Sequence, residues 1–142
     1  DTEVTIDTKL RHDRFLACIS SNAEMARMII RKTARLSSYY NSKWYAVYVQ
    51  TPAEDSNRIN LAVQRHLINN FKLATELGAE VIQVKSKSVS NAIMKVAEEN
   101  KITTICIGKP HIRLWQVIIK TNSFNNLLNK LADSDIDLII LS

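Results

Sequence analysis

The sequence predicts an α/β protein: a Rossmann-like, doubly wound sheet of five parallel strands with helices on both faces. Three observations carry this expectation. Five short runs rich in apolar and β-branched residues alternate with segments of helical periodicity. The helical segments are long enough to act as the crossovers that parallel strands require. With 142 residues, 46% of them hydrophobic, and only two glycines and two prolines, the chain can bury a regular core without staples.

Residues 1–12 are polar and irregular and read as a linker or the tail of a preceding segment, leaving 13–142 as the domain. Phe15–Ile19 is a continuous apolar run, as expected of a strand covered on both faces. It ends in Ser20-Ser21-Asn22, where Ser21 and Glu24 have the spacing of a capping box. A helix is therefore expected from Ser21 to about Tyr40, burying Met25, Met28, Ile29 and Leu36.

Lys43–Val49 is aromatic and β-branched, a second strand closed by Gln50-Thr51-Pro52. A helix over about 56–77 follows, with Ile59, Val63, Leu67, Phe71 and Ala74 at helical spacing and Gly78 as its stop. Glu80–Val84 is the third strand. Ser88 caps a helix that buries Ile93, Val96 and Ala97. Thr103–Ile107 is the fourth strand, a helix begins near Ser123 with Phe124, Leu127, Leu128 and Leu131 on one face, and Asp137–Leu141 is the fifth strand. Right-handed crossovers wind these elements into the doubly wound sheet. The chain opens on Asp1 rather than methionine and stops at Ser142 straight out of a strand, so it reads as a domain cut from a longer protein.

A formal charge of +5 suits an anionic partner. Yet 19 basic residues are spread among 14 acidic ones, without an arginine-rich arm, zinc-finger spacing or recognition helix, so nucleic acid is not expected as a partner. Cys18 and Cys106 lie far apart inside apolar runs, as buried free thiols of a reducing compartment do. His12, His66 and His111 lack ligand spacing. No run approaches the ~20 apolar residues of a membrane span, so this domain itself is expected to make no membrane contact.

An open α/β sheet binds ligands past the carboxyl ends of its strands, where the strand order reverses. If the first and fourth strands are neighbours, Ser20, Ser21 and Asn22 meet Gly108 and Lys109 there, beneath a helix N-terminus suited to an anion. Gly108 would let a phosphate come close, Lys109, His111 and Arg113 would favour its charge, and Thr121 and Ser123 would supply hydroxyls. The bland readings are a simple helix cap at Ser21 and a solvated basic loop whose Trp115 packs on the domain edge. Arg27, Arg31 and Arg35 share one helix face, either solvated or a docking surface for an acidic partner. Trp44, Tyr45 and Tyr48 read as packing residues, one of which could reach a ligand at the strand's end. No nucleophile elbow, Cys–His motif or Gly-rich nucleotide fingerprint is present, so the domain alone is not expected to be an enzyme and no catalytic or metal residues are assigned.

Four runs carry a family resemblance: Phe15-Leu-Ala-Cys-Ile-Ser20; Ala34-Arg-Leu-Ser37 with Trp44-Tyr-Ala-Val-Tyr-Val-Gln-Thr-Pro52; Ala74-Thr-Glu-Leu-Gly-Ala-Glu80; and Ile107-Gly-Lys-Pro-His-Ile-Arg-Leu-Trp115. They resemble the universal-stress-protein-like domain of the bacterial Kdp osmosensitive potassium-channel sensor histidine kinases, from about His12 onward. The resemblance implies a cytoplasmic sensory module of a two-component sensor in the inner membrane, controlling potassium transport in response to osmotic or potassium signals. Its implied partners are the other domains of the parent kinase, another universal stress protein or a second copy of itself.

Nucleotide-binding universal stress proteins hold ATP with an acid after strand one and a Gly-x-x-Gly-x9-Gly-Ser/Thr loop after strand four. Here Ser20-Ser21 replaces the acid, His111 and Thr121 stand at the second and third glycines, and only Gly108 matches. Some relatives bind cyclic di-AMP through a Ser-x-Ser motif and a Phe-Thr-Ala-x-Tyr strand. This chain keeps the first serine (Ser21), the alanine (Ala46) and the final tyrosine (Tyr48). ATP and cyclic di-AMP are thus the candidate ligands. The competing expectation is a free-standing universal stress protein that binds a nucleotide.

Overall fold

A computed structural model describes residues 13–55, 57–109 and 123–142. Within them the chain runs β1 (Arg14–Ile19), α1 (Ala23–Tyr39), β2 (Lys43–Gln50), a 3-10 turn (Pro52–Glu54), α2 (Leu61–Glu76), β3 (Ala79–Lys85), α3 (Val89–Glu99), β4 (Thr104–Gly108), α4 (Ser123–Ala132) and β5 (Asp137–Leu141). All strand pairs are parallel, in the order β3-β2-β1-β4-β5. The expected doubly wound sheet is therefore present, with the order reversing between β1 and β4. The expected linker, residues 1–12, lies outside the described residues.

Burial follows from that order. β1 and β4 are central, and Leu16, Ala17, Ile105, Cys106 and Ile107 are wholly buried, whereas β5 at the edge keeps Asp137 and Ile140 exposed. α1 and α2 cover one face over Phe15, Ala17, Trp44 and Ala46, while α3 and α4 cover the other over Leu16, Val47, Ile105 and Ile107. Each fully buried Leu or Ile contributes about 1.5–3 kcal/mol of transfer free energy, so the two central strands anchor the sheet. Cys18 and Cys106 are free and buried in the separate cores of the two faces. Burial pushes the Cys106 thiol up to about 11 and raises that of Cys18 further.

Three local expectations are corrected. Asn22, not Ser21, caps α1: its Oδ1 accepts from the Met25 amide at 3.0 Å and its carbonyl from the Ala26 amide at 2.9 Å. Asn and Ser cap about equally well, and what decides is that the Ser21 hydroxyl is engaged elsewhere, by Glu54. The buried stripe of α1 is Ala26, Ile29, Ile30, Thr33 and Ser37, with Met25, Met28 and Leu36 only partly buried at its margins. Two large side chains, Ile29 and Ile30, fill the centre of this stripe, flanked by the smaller Ala26, Thr33 and Ser37. The second helix begins at Leu61 rather than near 56, because Pro52 opens a 3-10 turn and Asn60 supplies the cap, its Oδ1 accepting from the Val63 amide at 2.9 Å. Gly78 ends α2 with φ of +99°, a conformation that disfavours a side chain. Ser88 caps α3 as expected, accepting from the Asn91 amide at 3.3 Å.

Candidate functional site

The sheet register builds the candidate site. The β1–β4 ladder runs to Ala17 opposite Cys106, and beyond it the two strands lead out at the same edge of the sheet, β1 into Ser20 and β4 into Lys109. Ile19 likewise pairs with Tyr48 of β2. The carboxyl ends of β2, β1 and β4 thus form one crevice, which the N-terminus of α1 overhangs. Strands are about 4.8 Å apart, so Tyr48 and Gly108 stand about 10 Å from each other across β1.

Ser20, Ser21, Asn22, Gly108 and Lys109 are brought to this edge, as the sequence predicts. The Ser20 hydroxyl accepts from the Asn22 amide at 3.2 Å and closes the turn into α1. Lys109 is exposed at the end of β4. Gly108 is buried, and a Cβ on it would lie 2.5 Å from Met25 Sδ and 3.0 Å from Ile29 Cδ1. Its missing side chain therefore also serves the close approach of α1 to β4. His111, Arg113 and Thr121 lie outside the described residues, and Ser123 is placed only as the first residue of α4.

Glu54 is the site residue that sequence reasoning missed. The 3-10 turn after β2 folds its carboxylate back over the strand end, where Oε2 accepts from the Ser21 hydroxyl and Oε1 from the Tyr48 phenol at 3.2 Å. Tyr48 is buried, with its ring 5.9 Å from that of Phe71. Burial first, and the neighbouring Glu54 carboxylate second, raise the phenol pKa, so Tyr48 stays a protonated donor. Both hydroxyl protons are committed to the carboxylate. What this end offers a ligand is carboxylate and hydroxyl lone pairs, acceptors that suit an amino or hydroxyl group and repel a phosphate. A signal was available: proline opening a turn after a strand, with an acid two residues later.

The two ends of the crevice thus differ in sign. Over β2 lies Glu54 with its two hydroxyls, and over β4 lies Lys109. An open polar cleft of about 390 Å3 between the start of α3 and α4 shares no residue with this crevice. Among the described residues no cluster of His, Cys, Asp or Glu could hold a metal ion, and no helix is long and apolar enough to cross a membrane.

The overall architecture is that of the universal stress proteins. A universal stress protein in complex with cAMP superposes with a TM-score of 0.64 at 14% identity, covering 92% of this chain and 96% of that one. One from Archaeoglobus fulgidus in complex with dAMP gives 0.60 at 15% identity, covering 92% and 98%. The sequence narrows the kinship further, to a universal-stress-protein-like segment of the KdpD sensor proteins. The chain is 32% identical to sensor protein KdpD of Escherichia coli K12 over 130 residues, and 40% identical to that of Clostridium acetobutylicum over 123 residues. These matches cover 92% and 87% of this chain but 14% and 13% of the two KdpD proteins, so the chain spans about one-seventh of their length. No family model matches it.

Proposed function

We propose that this chain is a regulatory domain that binds a small adenine nucleotide across the crevice and passes the occupancy of that site to the rest of a KdpD-like sensor histidine kinase. The observation that carries the reading is the opposed chemistry of the two ends: Glu54 with two committed hydroxyls over β2, and the exposed cation Lys109 just past β4, two strand spacings or about 10 Å across at the level of the backbone. That separation suits a nucleotide lying with its donor-bearing base or sugar at Glu54 and its phosphate at Lys109, below the amino end of α1. The cAMP and dAMP held by proteins of the same fold support a nucleotide, and ATP and cyclic di-AMP are the ligands we assign for test. His111, Arg113, Thr121 and Ser123 complete the phosphate end in this reading.

The domain spans 13–142, with 1–12 as linker, and it acts on the cytoplasmic side through the other domains of the parent. Its output is control of potassium transport under osmotic or potassium signals. The similarity to KdpD over nine-tenths of the chain supports this role over that of a free-standing universal stress protein.

Calorimetry of the chain against ATP and cyclic di-AMP tests the binding step. Heat should appear with at least one of them and should fall about ten-fold in affinity in Lys109→Ala and Arg113→Ala, the loss of one charge-assisted contact. No heat with either nucleotide would remove the crevice reading.

A further inference from the structure

The two helical layers of the domain carry very different charge. On α1, Arg27, Arg31, Lys32 and Arg35 stand against Glu24, and on α2, Arg65 and Lys72 stand against Glu76, leaving this layer with a net charge of +4. On the opposite layer, Lys95 of α3 and Lys130 of α4 are balanced by Glu98 and Glu99. Of the two helical layers, only the α1–α2 layer therefore carries a net charge.

The basic layer is also ordered. Arg27, Arg31 and Arg35 are exposed at i, i+4 and i+8, turned away from the buried stripe of Ala26, Ile29, Ile30, Thr33 and Ser37, and repeat about every 6 Å along α1. On the same side of the sheet, α2 turns Leu61, Arg65, Ile68 and Lys72 to solvent, opposite its buried Leu67, Asn70 and Ala74. Leu61 is 70% and Ile68 52% exposed, unusual for large apolar residues on the outer face of an amphipathic helix. A row of arginines on one helix and apolar residues exposed on its packed neighbour are complementary to a helix with carboxylates at every fourth position and an apolar flank.

We infer that the α1–α2 face docks an acidic amphipathic helix of a protein partner. Two helices packed side by side present a shallow groove that a third can fill. Guanidinium groups at a 6 Å repeat match the carboxylates of such a helix, each bidentate at best. A lipid surface would be served as well by lysines in any arrangement, yet all three residues of the row are arginine. This surface is separate from the crevice, so its test is independent of nucleotide binding.

The test titrates the chain with two synthetic helical peptides of equal composition, one with Glu at every fourth position and Leu alongside, the other scrambled. The patterned peptide should bind about ten-fold more tightly than the scrambled one, and the difference should shrink in high salt. Arg31→Glu and Ile68→Asp should each weaken it about five-fold or more with unchanged circular dichroism, because both side chains are exposed. Equal binding of the two peptides, or indifference to both substitutions, overturns the inference. So does arginine-dependent co-sedimentation with phosphatidylcholine vesicles holding about one-third phosphatidylserine when the patterned peptide does not bind.

Discussion

Over β2 the crevice ends in a carboxylate whose partners are already in place, Glu54 accepting from Ser21 and from a buried Tyr48; over β4 it ends in Lys109, exposed on the last residue before a segment outside the described structure. The first end is wired into the core, since Tyr48 packs on Phe71 of α2 and Ser21 leads into α1. The second is a charge on the surface. The difference teaches that stability and ligand chemistry are distributed unequally along one site. Substitutions at the β2 end should disturb the fold first, and removal of the exposed Lys109 charge at the β4 end should disturb binding alone.

The sharpest way to break the comparison is Tyr48→Ala. It removes a buried ring and strands Glu54 and Ser21, and should lower unfolding free energy by about 3–5 kcal/mol in urea titration. Tyr48→Phe keeps the ring and loses only the hydroxyl, at a cost of about 1 kcal/mol. If the two variants are equally unstable, the hydroxyl rather than the ring is what matters. Glu54→Ala should cost about 1–2 kcal/mol by leaving the partly buried phenol without its acceptor. Under the proposed function it should also blunt preference for a ligand's amino or hydroxyl end, read as convergence of affinities for adenosine and inorganic phosphate. A variant as stable and selective as the parent chain would make the Ser21–Glu54–Tyr48 cluster ornamental.

Alkaline pH probes the same end. The unfolded phenol titrates near pH 10, whereas burial and Glu54 keep the folded one protonated beyond that. Above about pH 10 the unfolded chain therefore binds fewer protons than the folded one, and stability falls as pH rises. Cys106 acts in the same direction between pH 9 and about 11, and Cys18 also begins near pH 9. Tyr48→Phe should make the fall above pH 10 shallower by up to about 1.4 kcal/mol per pH unit while leaving the thiol part, which a cysteine-to-alanine pair removes. An unchanged slope in Tyr48→Phe would place the phenol in solvent.

Gly108→Ala addresses the β4 end from beneath. Its Cβ would press on Met25 and Ile29, of which the methionine can give way, so a loss of about 1 kcal/mol is expected in thermal unfolding. A loss several times larger would mean that α1 cannot move from the strand, and the glycine would then serve packing before it serves any ligand.

The fold was legible because its signals are local and redundant. Apolar runs marked β1, β2, β4 and β5, and Ser88 and Gly78 punctuated helices where side-chain and backbone chemistry demand it. What escaped was contact across long sequence separations. Ser21 reads as a cap on spacing alone, yet its hydroxyl is drawn to Glu54, 33 residues on, and Asn22 takes the cap instead. Glu54 itself lies between the turn that closes the second strand and the expected start of the next helix, where the sequence pattern marks no role for it. Only the return of the 3-10 turn over β2, set by Pro52 and the Glu54 amide bonding to the Thr51 carbonyl at 2.9 Å, brings it to the crevice. Periodicity reports which face of an element is buried; it carries no information on which distant polar groups will share a corner.

Lys109→Ala should have the smallest effect on the fold and therefore gives the cleanest separation of the two ends. The side chain is exposed, so its loss should change stability by less than about 0.5 kcal/mol. Nucleotide affinity should nonetheless drop, and the residual affinity should depend less on salt, because one cation has left the anion's end of the crevice. Glu54→Ala predicts the reverse pattern, a measurable stability loss with phosphate affinity kept or improved. Measured side by side by urea unfolding and calorimetry, the two variants should therefore fall in opposite quadrants. Should Lys109→Ala destabilise the chain as much as Glu54→Ala, the lysine would be holding the strand end together, and the anion would have to be sought at α1 alone.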